Sequence, residues 1–345
     1  MILEGNMKKI LVTGGAGYIG SHTVLALHKK GYDVAIVDNL STSCKGSVAA
    51  LEKLTGKCIP FYETDIRNEE EMTDILKREH PDAVIHFAAF SLVGESVSNP
   101  LKYYENNLYG TEKLLKAMLT AGTDKIVFSS TAAVYGEPKH IPIVETDKTE
   151  PTNPYGETKL AMEKMFRWTA NAGNLSYVSL RYFNACGADA SGLIGEAHNP
   201  ETHLIPCILR VANGQEQFVR IFGTDYPTAD GTCVRDYIHV TDLADAHVLA
   251  VEYLLGGGKS DIFNLGNGQG FSVRQIVETV RAVTHHPIPQ QIAPRRAGDP
   301  AVLVASSQKA REVLGWNPQL FRPQDIVASA WKWHQTHPNG YKNEP

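Results

Sequence analysis

Short apolar segments alternate with helical ones in the first half of the chain, and this alternation restricts the fold more than any other feature. Five segments have the length and apolar content of buried strands: KKILVTG, YDVAIVDN, CIPFYETD, AVIHFAA and KIVFSS. Three segments between them have helical periodicity: YIGSHTVLALHKKG, EEEMTDILKREH and the stretch from about Leu101 to Ala121. Parallel neighbours need crossover connections, so the pattern predicts an α/β fold with a doubly wound parallel sheet.

The sequence changes character after about residue 185. Gly, Pro, Asn and Asp interrupt shorter elements there, in GADASGLIGEAHNPETH, FGTDYPTADGT and GNGQG. Such segments are typical of a smaller, loop-rich domain that closes over a site. We predict a first domain at 7–184 and a smaller mixed α/β C-terminal domain at 185–341, with part of 233–265 returning to the first. Residues 1–6 receive no role.

The charge of the chain restricts its partners. A formal net charge of -5 gives no general attraction for nucleic acid or for an anionic membrane, so we expect the chain to bind neither. Any phosphate must then be met by a few placed groups, which favours a small anionic ligand.

The cysteines indicate a reducing compartment. There are five, an odd number, widely separated and without a CxxC pair or a histidine spacing of the zinc type: Cys44, Cys58, Cys186, Cys207 and Cys233. The N-terminal segment lacks the features of a signal peptide, and no apolar run reaches the length that spans a bilayer. We expect free thiols, a cytoplasmic location and no metal.

The first motif with chemical content is TGGAGYIG, where the first strand turns into the first helix. Gly14, Gly17 and Gly20 are spaced three apart, so the backbone can turn tightly and approach a pyrophosphate without an intervening Cβ. Tyr18 and Ile19 begin the helix, whose unpaired amides face the phosphates. The motif predicts a dinucleotide site in a Rossmann sheet.

The end of the second strand selects the dinucleotide. Asp38 can accept hydrogen bonds from the adenosine ribose hydroxyls but repels a 2′-phosphate, and no arginine follows it in DNLSTS. The predicted cofactor is therefore NAD rather than NADP.

A second pattern, Tyr-x-x-x-Lys, occurs three times, at Tyr109–Lys113, Tyr135–Lys139 and Tyr155–Lys159. Only a helix places residues four apart on one face. Pro138 disfavours a helix in the second copy, so we expect that pair in a loop. The first copy lies in a plausible long helix, on a packed or solvated face. The third follows Pro154 at a predicted helix start, which favours it as the reactive pair.

Thr131 is the third predicted catalytic residue, beside Tyr155 and Lys159. It follows the strand KIVFSS, whose end should face the cofactor crevice. A phenol with its usual pKa of about 10 is a poor base at neutral pH, and we expect the Lys159 ammonium to lower the pKa of Tyr155 toward neutrality. The hydroxyl of Thr131 can hold the reacting oxygen while Tyr155 exchanges its proton.

Together with further segments, these motifs resemble those of a known protein family. The segments that carry the resemblance are TGGAGYIGSH, the pair Asp38 and Asn39, HFAAFSLVGES, FSSTAAVYG, NPYGETK, LRYFNACGA, DYPTADGTCVRDYIHVTDLADAH, FNLGNG and APRRAGDPA. In this order they resemble the extended short-chain dehydrogenase/reductase family over roughly residues 8 to 341. The resemblance implies 4-epimerisation of a UDP-hexose, UDP-galactose to UDP-glucose and back, through a transient 4-keto intermediate. A tightly held NAD would be reduced and reoxidised in each turnover.

The resemblance also implies the remaining site residues. Besides Tyr155, Lys159 and the glycine turn, those that would hold NAD are Asp38, Asn39, Asp65, Ile66, Phe87, Ala88, Asn106 and Tyr182. With Thr131, those that would contact the nucleotide sugar are Phe183, Asn184, His203, Leu204, Phe222, Arg235, Arg296, Asp299 and Leu303. The arginines suit a diphosphate, which needs rigid, always-charged donors.

Three positions depart from the family pattern. Ser91 stands where a lysine is common, which removes one charged contact to the cofactor. His203 replaces a common asparagine and either donates to the phosphates in a pH-dependent way or simply packs. Leu303 replaces a bulky tyrosine of some members, which predicts room for the N-acetylated sugars UDP-GalNAc and UDP-GlcNAc.

Two alternatives stay open. A 4,6-dehydratase or decarboxylase of the same family needs a further acid or base, typically a carboxylate after the strand-end threonine, where this chain has Ala132 and Ala133. A non-catalytic NAD-binding sensor would keep the glycine turn without needing Thr131, Tyr155 and Lys159. Apolar residues on several faces of the helices near 101–121 and 155–171, with the resemblance, predict a homodimer.

Overall fold

The computed structural model describes residues 7–296 and 300–341. Its strands are β1 (Lys9–Thr13), β2 (Asp33–Val37), β3 (Phe61–Tyr62), β4 (Ala83–His86), β5 (Lys125–Ser129), β6 (Ser176–Tyr182), β7 (Asn184–Cys186), β8 (Val219–Phe222), β9 (Val234–His239), β10 (Asp261–Leu265), β11 (Gly270–Ser272), β12 (Gln290–Ala293) and β13 (Val302–Leu303). Its α-helices are α1 (Tyr18–Lys29), α2 (Lys45–Thr55), α3 (Glu69–Glu79), α4 (Val93–Ser98), α5 (Pro100–Tyr103), α6 (Gly110–Ala121), α7 (Pro154–Asn171), α8 (Leu204–Ala212), α9 (Val240–Leu255), α10 (Val273–Thr284), α11 (Gln308–Leu314) and α12 (Pro323–Thr336). A π-helical segment occupies Tyr104–Tyr109 and a 3-10 turn Ala132–Tyr135. Within the described ranges, no helix is long and apolar enough to cross a membrane.

Seven parallel strands form the main sheet, in the order β10-β6-β5-β4-β1-β2-β3. From β1 the chain adds β2 and β3 on one side and then β4, β5 and β6 on the other. The predicted doubly wound parallel sheet is confirmed. In such a sheet a ligand crevice opens beyond the carboxyl ends of the two strands where the order reverses, here β1 and β4.

Both faces of this sheet are covered. Ile10 and Val12 of β1 belong to one core cluster and Leu11 to the other, and all three are fully buried. Burying one such aliphatic side chain stabilises the fold by roughly 1.5–3 kcal/mol. Two-sided burial explains why the strands are continuous apolar runs rather than alternating ones.

The helix predicted near Leu101 to Ala121 is interrupted. The π-helical segment Tyr104–Tyr109 joins α5 to α6 and contains the buried Asn106 and Asn107. The side chain of Asn107 accepts a hydrogen bond from the Phe90 amide (2.9 Å) and donates to the Phe90 carbonyl (3.0 Å). These hydrogen bonds to a distant loop turn polar side chains toward the protein interior. A regular amphipathic helix would turn its apolar side chains there instead.

The third strand is also shorter than predicted. Of CIPFYETD only Phe61–Tyr62 pairs, with Ile36 and Val37 of β2. The pairing stops because β2 itself ends at Val37.

Residues after 185 build smaller sheets. Strand β9 pairs with β7, β11 and β13, and β8 pairs with β12. Helices α8, α10 and α12 pack together in a separate cluster that includes Ile208, Val277 and Val327. In contrast, α9 packs on α1, and β10 joins the main sheet. The division into domains at 7–184 and 185–341 remains our proposal.

Candidate active site

A cavity of about 640 Å³ lies along the carboxyl ends of the main strands. Its wall includes the residues just after β1, β2, β4, β5 and β6, and on the opposite side parts of the loop between β7 and α8. This is the crevice that the strand order predicts.

The glycine turn forms one wall. Gly14 has φ +73°, and a Cβ there would lie 2.6 Å from the Ala88 amide nitrogen; a Cβ on Gly20 would lie 2.1 Å from the Gly14 carbonyl oxygen. Gly17 is less restricted, because its Cβ would be 3.2 Å from the Gly14 carbonyl oxygen. Gly17 precedes α1, and no side chain among the described residues caps that helix end. Its first amides are therefore available to an anion in the cavity.

Asp38 lies at the far end of the same wall. Its carboxylate accepts hydrogen bonds from the amides of Ala16 (3.1 Å) and Leu40 (2.9 Å) and from the Ser43 hydroxyl (2.7 Å). Burial raises the pKa of Asp38 above its usual value, and these hydrogen bonds oppose the shift. The turn and the carboxylate together fit the pyrophosphate and adenosine ribose of NAD.

Tyr155 and Thr131 meet in the cavity. Asn153 caps α7 by accepting a hydrogen bond from the Gly156 amide (2.9 Å), and Pro154 occupies the first helical position. A Cβ on Gly156 would lie 2.8 Å from the Ala133 carbonyl oxygen, so α7 starts against the turn that follows β5. The Thr131 side chain lies beside the Tyr155 phenol there and acts to lower its pKa. Its hydroxyl accepts a hydrogen bond from the Ala133 amide (3.1 Å).

Lys159 lies one turn further along α7, as the spacing predicts. Its ammonium donates to the Ser129 carbonyl oxygen (2.7 Å) and lies 5.9 Å from the centroid of the Tyr155 ring. The two residues share a helix face in the cavity wall.

The prediction that the Lys159 ammonium lowers the pKa of Tyr155 toward neutrality is wrong for the protein by itself. Burial raises the pKa of Tyr155 to about 12, and the neighbouring Thr131 side chain only partly opposes this. Burial also lowers the pKa of Lys159 to about 7. Desolvation disfavours the charged form of both groups, and it is the largest cause of both shifts.

The other two Tyr-x-x-x-Lys pairs are bystanders, as predicted. Tyr109 is 45% exposed, and Lys113 forms an ion pair with Glu69 (2.9 Å). Tyr135 is buried in the 3-10 turn, where its hydroxyl donates to Asn264 (2.7 Å), while Lys139 lies exposed in the following loop.

Most of the residues predicted to hold NAD line the cavity. They are Gly14, Gly17, Tyr18, Ile19, Gly20, Asp38, Asn39, Ile66, Phe87, Ala88, Asn106, Tyr155, Lys159 and Tyr182. Asp65 is outside the lining: it forms an ion pair with Arg67 (2.8 Å) and accepts a hydrogen bond from Asn39 (2.9 Å). The Arg67 guanidinium lowers the pKa of Asp65 to about 2. Asp65 therefore orients Asn39 rather than reaching the cavity itself.

The residues predicted to contact the sugar nucleotide divide into two groups. Those in the cavity wall are Thr131, Phe183, Asn184, His203, Arg235 and Leu303. Leu204, Phe222 and Arg296 lie outside the lining, with the Arg296 guanidinium 4.2 Å from the Phe222 ring centroid. Asp299 lies outside the described residues. Ser91, one of the departures from the family pattern, also lines the cavity.

Glu196 and His198, which were not predicted from the sequence, also line the cavity beside His203. His203 does not simply pack, because its Nδ1 lies 2.8 Å from a Glu196 oxygen and 3.2 Å from a Glu201 oxygen. The signal was present in EAHNPETH, where two acids and two histidines fall within eight residues.

With this geometry, the class of protein follows from comparison with known families. The chain belongs to the NAD dependent epimerase/dehydratase family, whose model matches residues 10–266. The resemblance predicted from the motifs is confirmed.

Individual relatives are similar over nearly the whole chain. The UDP-glucose 4-epimerase of Halalkalibacterium halodurans is 59% identical over 335 residues, which cover 97% of this chain and 98% of that protein. UDP-glucose 4-epimerase from Brucella ovis in complex with NAD has a TM-score of 0.90 at 46% identity, covering 94% of this chain and 97% of that chain. The enzyme from Bifidobacterium longum in complex with NAD+ and UDP has a TM-score of 0.93 at 43% identity, covering 97% of this chain and 100% of that chain.

Proposed function

We propose that this chain is an isomerase that interconverts UDP-galactose and UDP-glucose by NAD-dependent 4-epimerisation. The observation that carries the proposal is the contact of Thr131 with Tyr155, one turn from Lys159, in the cavity that also contains the glycine turn. The high identity to UDP-glucose 4-epimerases over the full length supports the same activity. The cofactor is NAD, because solved relatives bind it and the glycine turn and Asp38 of this chain fit it.

We propose that the lining residues of the glycine turn, with Asp38 and Asn39, hold the dinucleotide. When bound, NAD would supply the hydride acceptor for oxidation at C4 of the sugar, and its positive charge would favour the phenolate form of Tyr155. Phe87 and Tyr182 confine the reactive end of the cavity.

Three side chains manage the proton at the sugar 4-hydroxyl. Tyr155 accepts this proton when C4 is oxidised and returns it when C4 is reduced on the opposite face. Thr131 hydrogen-bonds the same oxygen and keeps it next to the phenol. Lys159, held by the Ser129 carbonyl, stabilises the phenolate once its amine is protonated to the ammonium. The diphosphate is contacted by Arg235 from the second domain, so the hexose can rotate about its phosphate linkage between the two half-reactions.

Replacing Tyr155 by Phe tests the proposal. The variant loses the proton acceptor while keeping the ring, so we expect turnover of UDP-galactose to fall by at least the roughly 10² to 10⁴ of acid–base catalysis. NAD content should be close to that of the wild type. Retention of wild-type turnover would exclude the proposed chemistry, and a sensor without catalytic function would show no turnover in either protein.

The dehydratase and decarboxylase alternatives lack their additional group. Ala132 and Ala133 follow Thr131 in the cavity wall. Of the glutamates that also line it, Glu95 is paired with Lys102 (2.6 Å), and Glu196 faces two histidines. Among the residues that the structure describes, neither of these two glutamates is therefore free to act as the additional acid or base.

We further propose that the enzyme accepts UDP-GalNAc and UDP-GlcNAc. Leu303 lines the cavity and, like Phe183, packs against the buried cluster that contains Tyr135 and Ile143. A leucine there leaves the space that a larger aromatic side chain would fill. The kcat/KM for UDP-GalNAc should be measurable beside that for UDP-galactose, and Leu303→Tyr should reduce only the former. Absence of turnover with UDP-GalNAc would rule out this extension.

We also propose a homodimer. The apolar residues first expected at the contact are largely part of the single-chain core: Leu114, Leu115, Met118, Leu160, Met162 and Phe166. Three apolar residues are exposed instead: Val97 on α4 (63%), Leu101 on α5 (77%) and Trp168 on α7 (67%). The helices that carry them, α4, α5 and α7, pack side by side, which supports a joint apolar contact.

Light scattering tests the dimer. The wild type should have the mass of two chains, and Leu101→Asp should shift it toward one. A monomeric wild type at micromolar concentration would contradict the proposal.

A further inference from the structure

Four side chains converge on one point in the segment between β7 and α8. They are Glu196, His198, Glu201 and His203, and one ligating atom from each lies within 4.8 Å of the others. No other such group of three or more acids, histidines and cysteines occurs in the described ranges.

The imidazole and carboxylate atoms lie close to the spacing of ligands around one metal ion, with both histidines near the same Glu196 oxygen but near different oxygens of Glu201. Nδ1 of His198 lies 3.0 Å from a Glu196 oxygen and 3.8 Å from a Glu201 oxygen. Nδ1 of His203 lies 2.8 Å and 3.2 Å from oxygens of the same two glutamates. Ligands about 2.0–2.2 Å from a zinc ion are about 3.3–3.5 Å from one another in a tetrahedron, so small movements would suffice to bind the ion.

The charges also fit a divalent cation. The side chains of Glu196 and Glu201 are each only 5% exposed, although both are carboxylates. Among the described residues their ion-pair partners are the two histidines alone. Buried carboxylates require compensation, which either two protonated imidazoles or one divalent ion with two neutral imidazoles provides in full.

The surroundings hold the ligands in place. Glu201 accepts hydrogen bonds from the amides of Thr202 (2.7 Å) and His203 (2.8 Å), which orient its carboxylate. The carbonyl of Glu196 accepts a hydrogen bond from the Trp333 indole (2.9 Å). Such outer contacts are typical of metal sites, whose ligands need a fixed orientation.

The four residues connect the two sides of the cavity. The His198 ring lies 6.1 Å from the ring of Tyr18 in the glycine turn, and His203 immediately precedes α8. Tyr18 in turn donates a hydrogen bond to the Gly187 carbonyl (2.6 Å), at the start of the same segment. An ion bound here would fasten this segment over the dinucleotide end of the cavity.

We propose that Glu196, His198, Glu201 and His203 form a structural Zn²⁺ site. Two nitrogen and two oxygen ligands suit Zn²⁺ better than Mg²⁺ or Ca²⁺, which prefer oxygen ligands alone. Four protein ligands fill the tetrahedral shell, so the ion leaves no open position for substrate and acts by holding the cavity wall. The expectation of no metal, drawn from the scattered cysteines, is revised by this histidine–glutamate group.

Zinc titration of the full-length, NAD-saturated protein tests the site. After treatment with a chelator and dialysis, it should bind about one Zn²⁺ per chain and unfold at a higher temperature with Zn²⁺ than without it. Mg²⁺ at the same concentration should have no effect. A wild-type protein that binds no Zn²⁺ at micromolar concentration overturns the proposal.

Ligand variants assign the binding to these residues. His198→Gln and Glu201→Gln should each weaken Zn²⁺ binding by more than about 100-fold, since even outer contacts of a metal site contribute 10- to 100-fold. The exposed His286→Gln is the matched control and should bind Zn²⁺ as the wild type does. Circular dichroism and NAD content establish that each variant is folded. Folded ligand variants with wild-type zinc affinity would place the ion elsewhere and refute the assignment.

Discussion

Tyr155 and Lys159 show how much a single residue depends on its surroundings. Their spacing and the proline before them predict the shared helix face, which the structure contains. The sequence could not predict their proton affinities, because these depend on burial by segments distant in the chain. Burial raises the pKa of Tyr155 to about 12 and lowers that of Lys159 to about 7, so both favour their neutral forms. The proposed negative charge on the Tyr155 phenolate therefore depends on which ligand occupies the cavity.

The Thr131 hydroxyl gives a prediction at this scale. Thr131→Val removes the hydroxyl beside the Tyr155 phenol but keeps the branched shape. A hydrogen bond at a reacting group contributes on the order of 1–3 kcal/mol, so we expect kcat for UDP-galactose to fall roughly 10- to 100-fold. Steady-state kinetics measure the effect.

Thr131→Ser is the matched control for this prediction. It retains the hydroxyl and should keep kcat within a few-fold of the wild type. Equal losses in the Val and Ser variants would mean that Thr131 acts by its shape and not by its hydroxyl.

The residues around Glu196 were missed for a different reason. Two acids and two histidines within EAHNPETH do not have a familiar metal-ligand spacing, and no helix or strand periodicity brings them together. They converge because the segment folds back between β7 and α8, which is visible only in three dimensions.

At the scale of elements, regular patterns were predictable and irregular ones were not. The alternation of strands and helices predicted the main sheet because each strand is buried on both faces. The π-helical segment at Tyr104–Tyr109 was not predicted, since it accommodates Asn107 hydrogen bonds to a distant loop. The return of β10 to the main sheet was expected only in outline, because pairing of distant strands is not encoded in local periodicity.

The glycine turn gives a prediction at this scale. An added Cβ on Gly17 would lie 3.2 Å from the Gly14 carbonyl oxygen, whereas one on Gly20 would lie only 2.1 Å from the same oxygen. Gly17→Ala should therefore fold nearly normally yet bind NAD at least roughly tenfold more weakly, because the methyl group occupies space needed for the pyrophosphate. Gly20→Ala should lower the melting temperature itself.

Calorimetry and NAD titration separate the two effects. Gly94→Ala, where nothing lies within 4 Å of the added Cβ, is the control. If Gly17→Ala retained wild-type NAD affinity, the proposed position of the pyrophosphate would be incorrect.

At the scale of the whole molecule, buried histidines predict acid sensitivity. Burial lowers the pKa of His86 to about 3 and that of His247 to about 4. The unfolded chain, with histidine pKa values near 6.5, binds more protons than the folded chain between about pH 6.5 and pH 4. The free energy of unfolding therefore falls as the pH is lowered through this range.

His247→Phe tests this linkage. The variant keeps a ring beside Phe87, whose centroid is 4.6 Å from that of His247, but takes up no proton on unfolding. Denaturant titrations between pH 6.5 and 4.5 should show a slope smaller by about 1.4 kcal/mol per pH unit than in the wild type. The exposed His286→Gln is the control and should keep the wild-type slope. An unchanged slope in His247→Phe would show that His247 does not cause the pH dependence of the free energy of unfolding.

The central claim is that hydrogen leaves C4 of the sugar and returns to the same carbon within one closed cavity. The most direct measurement is conversion of UDP-galactose deuterated at C4, by protein purified with its NAD and without added cofactor, followed by mass spectrometry of the product. The account predicts UDP-glucose that retains the deuterium at C4. A product that has exchanged this deuterium with solvent, or a keto sugar that accumulates in place of UDP-glucose, would contradict it.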